Sequence, residues 1–120
     1  MKNNILVIED DRATCDLLSV ILEHAGYQVK TCRNGLNGIE AFKTGEFDLI
    51  LTDLFMPGLS GFEVIAHIRQ KNLSVPIIVL SGADRLKDSH DREFPHFLVR
   101  KPFHINHVIE TVKKALEANS

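Results

Sequence analysis

The sequence contains no tryptophan, one tyrosine, four prolines and two cysteines in 120 residues. It has no apolar run close to the roughly 20 residues that a membrane-spanning helix needs. Its first residues, MKNNILVIEDD, reach acidic side chains after a short apolar stretch, which argues against a secretory signal peptide. The cysteines, Cys15 and Cys32, form no CxxC pair and are interpreted as buried, small apolar residues in a reducing compartment. Together these features predict a cytoplasmic protein.

The chain also lacks an excess of charge of either sign. Fourteen Lys and Arg residues stand against sixteen Asp and Glu residues, so the formal net charge is −2. Nucleic acid and anionic membranes are therefore not expected as partners, because both require a basic surface. Hydrophobic residues make up 44% of the chain and charged residues 25%, a composition typical of a globular domain rather than a disordered one. We predict a single domain over residues 1–120.

Apolar runs alternate with segments of helical periodicity along the whole chain. The runs predict five strands, at residues 5–8, 27–32, 48–53, 76–81 and 97–100. The periodic segments predict helices from Asp10 or Asp11 to about Ala25, from Ser60 to Gln70 and over about 103–118. Asn34 and Gly35 predict a turn, which a short helix follows before Gly45. Strands that alternate with helices predict an α/β fold with a parallel sheet covered on both faces.

The apolar positions of these helices predict which faces are buried. The expected buried side chains are those of Leu18, Ile21, Leu22 and Ala25; Leu36, Ile39, Ala41 and Phe42; Phe62, Ile65 and Ile68; and Ile105, Val108, Ile109, Val112, Ala115 and Leu116. The segment between the fourth and fifth strands, ADRLKDSHDREFPH, has few apolar positions and a proline near its end. We therefore expect a short, loose or partly unwound fourth helix there.

Acidic, hydroxyl and ammonium groups follow four of the predicted strands. In order along the chain they are Glu9, Asp10 and Asp11, then Asp53, then Ser81, then Lys101. In open parallel sheets, ligands bind beyond the carboxyl ends of the strands. Two like charges about 4 Å apart repel by roughly 4 kcal/mol at an effective dielectric constant near 20, so clustered carboxylates require a cation. Hard oxygen ligands favour Mg²⁺, and the sequence predicts a carboxylate–magnesium pocket beside the lysine.

A phosphoryl group is the substrate that such a pocket would accept. Asp53, at the end of an apolar strand, can attack phosphorus as a carboxylate nucleophile and form an acyl phosphate. The metal and Lys101 would offset the charge of the transferring group, and Ser81 could donate a hydrogen bond to one of its oxygens. The loop after Asp53, LFMPGLSG, would let backbone groups approach the ion.

Four motifs in this order resemble the receiver domain of two-component response regulators (CheY-like domains). They are ILVIEDD at 5–11, TDLFMPGLSG at 52–61, PIIVLSG at 76–82 and KPF at 101–103. Each motif alone is a weak signal, but together they span essentially the whole chain. The resemblance implies a doubly wound, flavodoxin-like (βα)5 sandwich with a five-stranded parallel sheet in the order 2-1-3-4-5.

The resemblance also implies a role for each residue of the predicted metal pocket. Asp53 looks like the phospho-acceptor. Asp10 and Asp53 look like direct ligands of Mg²⁺, with Glu9 acting through water. The backbone carbonyl of Phe55 would be a further ligand.

Other positions match the family's switch residues, with one departure. Ser81 resembles the switch Ser/Thr, and Lys101 resembles the lysine that pairs with the phosphoryl group. The peptide bond before Pro102 is cis in that family, and proline permits the same isomer here. The family's switch aromatic usually lies three positions before the lysine, where this sequence has Leu98; Phe97 could replace it only through a bulge or slip.

The resemblance further implies partners and an output. The domain would receive its phosphoryl group from a sensor histidine kinase or a histidine phosphotransfer protein, and would catalyse only its own phosphorylation and dephosphorylation. It would signal through the face that the family calls α4-β5-α5, toward an output domain or protein outside this chain. A homodimer through that face is left open.

Two alternatives belong to other functional classes. A phosphohydrolase resembling the haloacid dehalogenases needs an acid two residues after the nucleophile, where this chain has Phe55. A receiver-like binding module that works without phosphorylation would explain Leu98 and the weak fourth helix. A zinc site at His104 and His107 is disfavoured, because no cysteine or carboxylate joins them at a suitable spacing.

Overall fold

Parallel strands alternate with helices in a computed structural model of the chain, which describes residues 3–82 and 97–118. The strands are β1 (Asn4–Ile8), β2 (Gln28–Cys32), β3 (Leu49–Asp53), β4 (Ile77–Gly82) and β5 (Phe97–Lys101). The helices of the described residues are α1 (Arg12–His24), α2 (Gly35–Thr44), α3 (Gly61–Lys71) and the C-terminal helix (Ile105–Ala118). The predicted fourth helix falls within 83–96, outside the described residues.

All five strands form one parallel sheet in the order β2-β1-β3-β4-β5. This order confirms the predicted doubly wound α/β fold. The central strand β3 is buried at every position, as expected for a continuous apolar run covered on both faces. β2 lies at the edge, and three of its five residues are exposed, which explains its mixed, alternating sequence.

Side chains on the two faces of the sheet enter two separate hydrophobic layers. Leu6 and Ile50 pack with residues of α2 and α3. Ile5 and Leu51 pack on the opposite face with residues of α1 and the C-terminal helix. Because neighbouring residues of a strand point to opposite faces, a one-residue shift would exchange the two layers. The register of each strand is therefore fixed by its apolar sequence.

Side-chain caps fix the starts of the helices that follow β1 and β3. Asp11 caps α1, and its carboxylate accepts from the backbone N–H of Thr14 at 2.9 Å and from the Thr14 hydroxyl at 2.6 Å. Asp10 is thus left outside the cap. Ser60 caps α3 in a reciprocal capping box with Glu63.

Three predicted core positions are exposed instead. Ala25 is the residue that ends α1, Leu36 is 66% exposed and Ile105 is 52% exposed. Leu36 and Ile105 lie in the first turns of their helices, and Ala25 is the C-cap residue directly after α1. In α2 the face toward the core is formed by Gly35, Gly38 and Ile39, rather than by Leu36.

The structure also bears on the two cysteines and on membrane-spanning helices. Cys15 and Cys32 are both buried and both free thiols. None of the helices in the described ranges combines the length and apolar character needed to cross a bilayer.

Candidate functional site

The carboxyl ends of β1 and β3 lie side by side and bring three acids together. Ile8 at the end of β1 pairs with Thr52 of β3, so the residues that follow them are neighbours. Glu9, Asp10 and Asp53 each offer one carboxylate oxygen, and these three oxygens lie within 4.8 Å of one another. Among the described residues this is the one group of acids, histidines or cysteines with metal-site geometry.

Lys101, at the end of β5, reaches across β4 to join this cluster. Its Nζ lies 2.6 Å from Oε1 of Glu9 and 3.0 Å from Oδ2 of Asp53. The side chain of Glu9 is fully buried and that of Asp53 is 8% exposed, whereas that of Lys101 is 28% exposed. The ammonium therefore bridges two carboxylates at the boundary between the core and solvent.

Glu9 is the acid most strongly affected by burial. Loss of hydration raises its pKa from 4.5 to about 7, although Lys101 and the backbone N–H of Asp11 both oppose the rise. Oε2 accepts from the Asp11 N–H at 3.0 Å. Oε1 lies 2.6 Å from the Lys101 ammonium, but this contact does not have the angles of a hydrogen bond. One buried oxygen thus lacks a well-aligned partner among the described residues.

The pKa of Lys101 is also raised, but by its acidic neighbours rather than by burial. Burial disfavours its charged form, but the contacts with Glu9 and Asp53 outweigh that effect, and the pKa of Lys101 is raised above its ordinary 10.5. Lys101 is therefore protonated throughout the physiological range. Two carboxylates share this one ammonium, which leaves the cluster net negative.

Asp53 is held rigidly at the end of the most buried strand. Its residue exposure is 5%, its Oδ1 accepts from the backbone N–H of Phe55 at 3.2 Å, and its Oδ2 accepts from Lys101. The Thr52 hydroxyl, which sequence analysis did not single out, donates to the Asp53 carbonyl at 3.0 Å. A side chain with both oxygens engaged keeps a defined orientation, which a nucleophile requires.

Ser81 and Pro102 lie at the neighbouring strand ends. Ser81 is 1% exposed, and its hydroxyl donates only to the Gly82 carbonyl, at 3.4 Å, among the contacts of the described residues. In the register of β4 and β5, Ser81 pairs with Arg100, and Gly82 pairs with Lys101. The Lys101–Pro102 peptide bond is cis. The serine hydroxyl is therefore weakly engaged beside the acid cluster.

Leu98 and Phe97 occupy opposite faces of β5. The β4–β5 pairing runs without a bulge, with Phe97 opposite Ile78 and Leu98 opposite Val79. Leu98 packs on the layer beneath α2 and α3, whereas Phe97 packs on the layer of the C-terminal helix. Phe97 therefore does not share the face of Leu98, because sharing it would need a bulge that the β4–β5 register lacks.

The loop after Asp53 closes tightly onto the strand. Phe55 is half-buried, and its ring meets that of Phe62 edge-to-face at a centroid distance of 5.8 Å. The N–H of Gly61 donates to the Leu54 carbonyl at 2.8 Å, which joins the two ends of the loop. The sequence places Gly61 in this loop, but the close approach of Gly61 to the strand was not predicted; a glycine directly after a helix cap, where better helix formers are available, is the signal for it.

The acid cluster has the donors that magnesium prefers. Three carboxylates supply hard oxygen ligands, and a buried Glu9 oxygen lacks an aligned donor. The cluster holds three acids against one ammonium, so a divalent cation would balance its charge. His104 and His107 form no comparable group among the residues that the structure describes.

A doubly wound parallel sheet with clustered acids and a lysine at its carboxyl edge is the arrangement that the sequence motifs predict for a receiver domain. The family model described as the response regulator receiver domain matches residues 5–113, and the chain belongs to this family. It is thereby a receiver domain of the two-component type, as the sequence motifs indicated.

Similar proteins extend this assignment. The chain is 32% identical to the uncharacterized transcriptional regulatory protein YkoG of Bacillus subtilis, with 98% of this chain and 53% of that protein covered. It is 33% identical to the cell cycle transcriptional regulator CtrA of Caulobacter vibrioides, with coverages of 90% and 48%. The chain thus spans about half the length of these curated relatives. Both are named as regulators rather than as enzymes.

Solved structures share the fold over nearly their full lengths. The response regulator TrrA of Thermotoga maritima, in complex with Mg(2+)-BeF, is 34% identical with a TM-score of 0.86, and 96% of this chain and 99% of that one are covered. The chemotaxis response regulator CheY4 of Vibrio cholerae is 24% identical with a TM-score of 0.87, at the same coverages. The second likeness concerns the fold alone.

Proposed function

We propose that the chain is a phospho-accepting switch that takes a phosphoryl group onto Asp53 with Mg²⁺ as its cofactor. The donor is a histidine of a sensor kinase or of a histidine phosphotransfer protein. One observation carries the proposal: the Lys101 ammonium lies 3.0 Å from Oδ2 of a rigid, buried Asp53, beside the carboxylates of Glu9 and Asp10. A carboxylate that can act as a nucleophile, an ammonium and two further acids thus lie together at the carboxyl edge of the sheet, which supports the proposal.

Four residues would hold the magnesium ion in this proposal. Asp10, Asp53 and the backbone carbonyl of Phe55 serve as direct ligands, and Glu9 acts through water. When bound, the ion supplies positive charge that neutralises the phosphoryl oxygens. The buried Glu9 oxygen without an aligned donor and the net negative charge of the cluster support this assignment. The solved TrrA structure is described with Mg(2+)-BeF, which also supports it.

The transfer itself is a displacement at phosphorus. A carboxylate oxygen of Asp53 forms the new bond, the bond from phosphorus to the donor's imidazole nitrogen breaks, and its electron pair stays on that nitrogen. Lys101 stabilises the charge on the transferring group. The buried position of Asp53 restricts the approach of bulk water, and the product is an acyl phosphate on the side chain.

The switch follows from the new charge. A phosphoryl group adds about −1.5 to −2 charges beside Ser81 and Lys101. The weakly engaged Ser81 hydroxyl turns to donate to it, and the ends of β4 and β5 move with it. Converting a 1:99 equilibrium into 99:1 takes about 5.5 kcal/mol of differential stabilisation, which a charged group paired with an ammonium and a metal can supply. The α4-β5-α5 face of the family is the surface that responds.

The proposed role also includes the domain's compartment, partners and output. Residues 1–120 form one receiver domain that works in the cytoplasm, does not itself contact nucleic acid, and catalyses only its own phosphorylation and dephosphorylation. The relatives' transcriptional names and their greater length support an output region or protein outside this chain. A homodimer through the responding face is compatible with this arrangement.

A second candidate is a binding module that keeps the fold but works without phosphorylation. Leu98, an aliphatic residue at the switch position, favours it, because no aromatic ring at that position couples Ser81 to the responding surface. The intact acid cluster favours the first candidate. Titration with Mg²⁺ separates the two, because a module of this kind has no requirement for the ion.

The test of the proposal uses small phosphoryl donors and analogues. Acetyl phosphate, or beryllofluoride, is added with Mg²⁺ to ¹⁵N-labelled protein, and the amides near residues 53, 81 and 101 are followed by NMR. We expect large shifts there and none in Asp53→Ala. An unchanged spectrum, or the same changes in Asp53→Ala, would refute the proposal. Steady release of phosphate from an ester over many turnovers would instead indicate a phosphohydrolase.

A further inference from the structure

Helix α3 begins in direct contact with the peptide unit of Asp53. Its first residue is Gly61, whose N–H donates to the Leu54 carbonyl at 2.8 Å. A Cβ atom at Gly61 would overlap the carbonyl oxygen of Asp53 and would lie 2.6 Å from Cα of Leu54. Cβ atoms in real proteins essentially never approach other atoms within 3.0 Å. The space that a side chain would need is therefore taken by backbone.

Neither the start of α3 nor the end of β3 can move freely away from this contact. The start of α3 is fixed by the capping box of Ser60 and Glu63, and Val64 in its first turns is fully buried. On the other side, β3 is paired with both β1 and β4, and the Leu54 N–H donates to the Leu80 carbonyl at 3.2 Å. Displacement would therefore move the end of β3, which carries the acid cluster.

We propose that Gly61 is a positioning residue for phosphoryl transfer to Asp53. Because Gly61 lacks a side chain, α3 packs directly on the Asp53–Leu54 peptide. This contact sets the distance between the Asp53 carboxylate and the Lys101 ammonium. The rate consequence rests on the proposed function, whereas the positional claim does not. A displacement of about 1 Å at a reacting group can lower a rate by about 100-fold.

Helix propensity alone predicts that replacing Gly61 by alanine is favourable, which is opposite to the effect expected from the backbone contact. Alanine is a better helix former than glycine, so Gly61→Ala would stabilise α3 if propensity decided the outcome. The overlap with the Asp53 carbonyl involves backbone, which has no alternative rotamer. We therefore expect the contact to outweigh propensity, and the substitution to shift Asp53 away from Lys101.

The experiment compares Gly61→Ala with a matched substitution elsewhere. Gly45→Ala places a Cβ atom 2.8 Å from the ring of Phe47 at the end of α2, away from the carboxyl ends of the strands. For each variant, the rate of phosphorylation by acetyl phosphate with Mg²⁺ is measured per folded molecule. The Lys101 Nζ–Asp53 Oδ2 distance is measured by crystallography. If Gly61→Ala is partly unfolded, trimethylamine N-oxide is added until circular dichroism shows the folded state.

The rate and the ion-pair distance together show whether Gly61 positions Asp53. We expect Gly61→Ala to be about 100-fold slower than the wild type, with the 3.0 Å ion pair lengthened beyond hydrogen-bond range, and Gly45→Ala to be close to the wild type. An unchanged ion pair or an unchanged rate in Gly61→Ala overturns it, as does an equal loss in Gly45→Ala. If the wild type itself is not phosphorylated, the proposed function fails, and the ion-pair distance alone decides whether Gly61 positions Asp53.

Discussion

Lys101 lies closer to Glu9 than to Asp53, the proposed acceptor. Its Nζ is 2.6 Å from Oε1 of Glu9 and 3.0 Å from Oδ2 of Asp53. The shorter contact is with the acid that is fully buried and has lost the most hydration. In the absence of metal, the lysine therefore offsets the charge of the metal-binding acid as well as that of the acceptor.

Removing this shared ammonium should destabilise the metal-free protein. Lys101→Met leaves the three acids of the cluster without a cation, and we expect the free energy of unfolding to fall by about 2 kcal/mol in chelator-treated protein. Added Mg²⁺ should then raise the melting temperature of Lys101→Met more than that of the wild type, because the ion replaces the lost charge. Thermal unfolding with and without Mg²⁺ measures both effects.

The control for this prediction is an exposed lysine. Lys114→Met removes a lysine from the exposed face of the C-terminal helix. Its stability should stay within about 0.5 kcal/mol of the wild type, with an ordinary response to Mg²⁺. If the two variants behave alike, the bridging role of Lys101 is wrong.

The raised pKa of Glu9 should appear in the pH dependence of metal-free stability. The group titrates near pH 4.5 when exposed and at about pH 7 in the fold, so the folded state binds the extra proton between these values. Stability contributed by that proton is lost as the pH rises through this window. Glu9→Gln removes the titration, and its unfolding free energy relative to the wild type should rise from pH 4.5 to 7 and then level off. The gain is on the order of 3 kcal/mol.

Chemical denaturation in a chelator across this pH range provides the measurement. Glu110→Gln, at an exposed position of the C-terminal helix, is the matched substitution. A difference between Glu9→Gln and the wild type that is flat with pH contradicts the prediction, and so does an equal rise in Glu110→Gln.

The fold and the position of the acid cluster could be predicted from sequence for a physical reason. Apolar runs fix which segments are central parallel strands, and parallel strands end at the same edge of the sheet. Glu9 and Asp53 therefore had to meet once β1 and β3 were neighbours. The placement of Leu98 and Phe97 on opposite faces also follows from the two-residue repeat, once pairing without a bulge is known.

Other features depend on distances that a sequence pattern does not contain. The exposure of Leu36 and Ile105, both in the first turn of a helix, depends on how each helix start packs in three dimensions. The 2.6 Å contact of Lys101 with Glu9 depends on the reach and rotamer of a long side chain across β4. The approach of Gly61 to the Asp53 carbonyl depends on how tightly the seven-residue loop 54–60 closes, which periodicity does not encode.

Ser81 should matter for the switch but little for the fold. Its hydroxyl makes one long contact, 3.4 Å to the Gly82 carbonyl, so Ser81→Ala should change the unfolding free energy by less than about 1 kcal/mol. Acetyl phosphate should still phosphorylate Asp53 in this variant. The amide shifts that beryllofluoride causes along β5 should be reduced, because the hydroxyl that turns toward the phosphoryl group is missing. Full-size shifts along β5 in Ser81→Ala would remove Ser81 from the switch.

The aromatic pair beside the acceptor should govern the lifetime of the phosphorylated state. Phe55 lies two residues after Asp53 and packs edge-to-face on Phe62, and a phenyl ring cannot hydrogen-bond an attacking water. An amide at this position can orient that water, so Phe55→Asn should lose its phosphoryl group at least about tenfold faster, a change of roughly 1.4 kcal/mol in the barrier. Phe55→Leu, which keeps the site apolar, is the matched control. Decay of ³²P label after donor removal gives the rates, and equal rates in Phe55→Asn and the wild type would show that Phe55 does not set the lifetime.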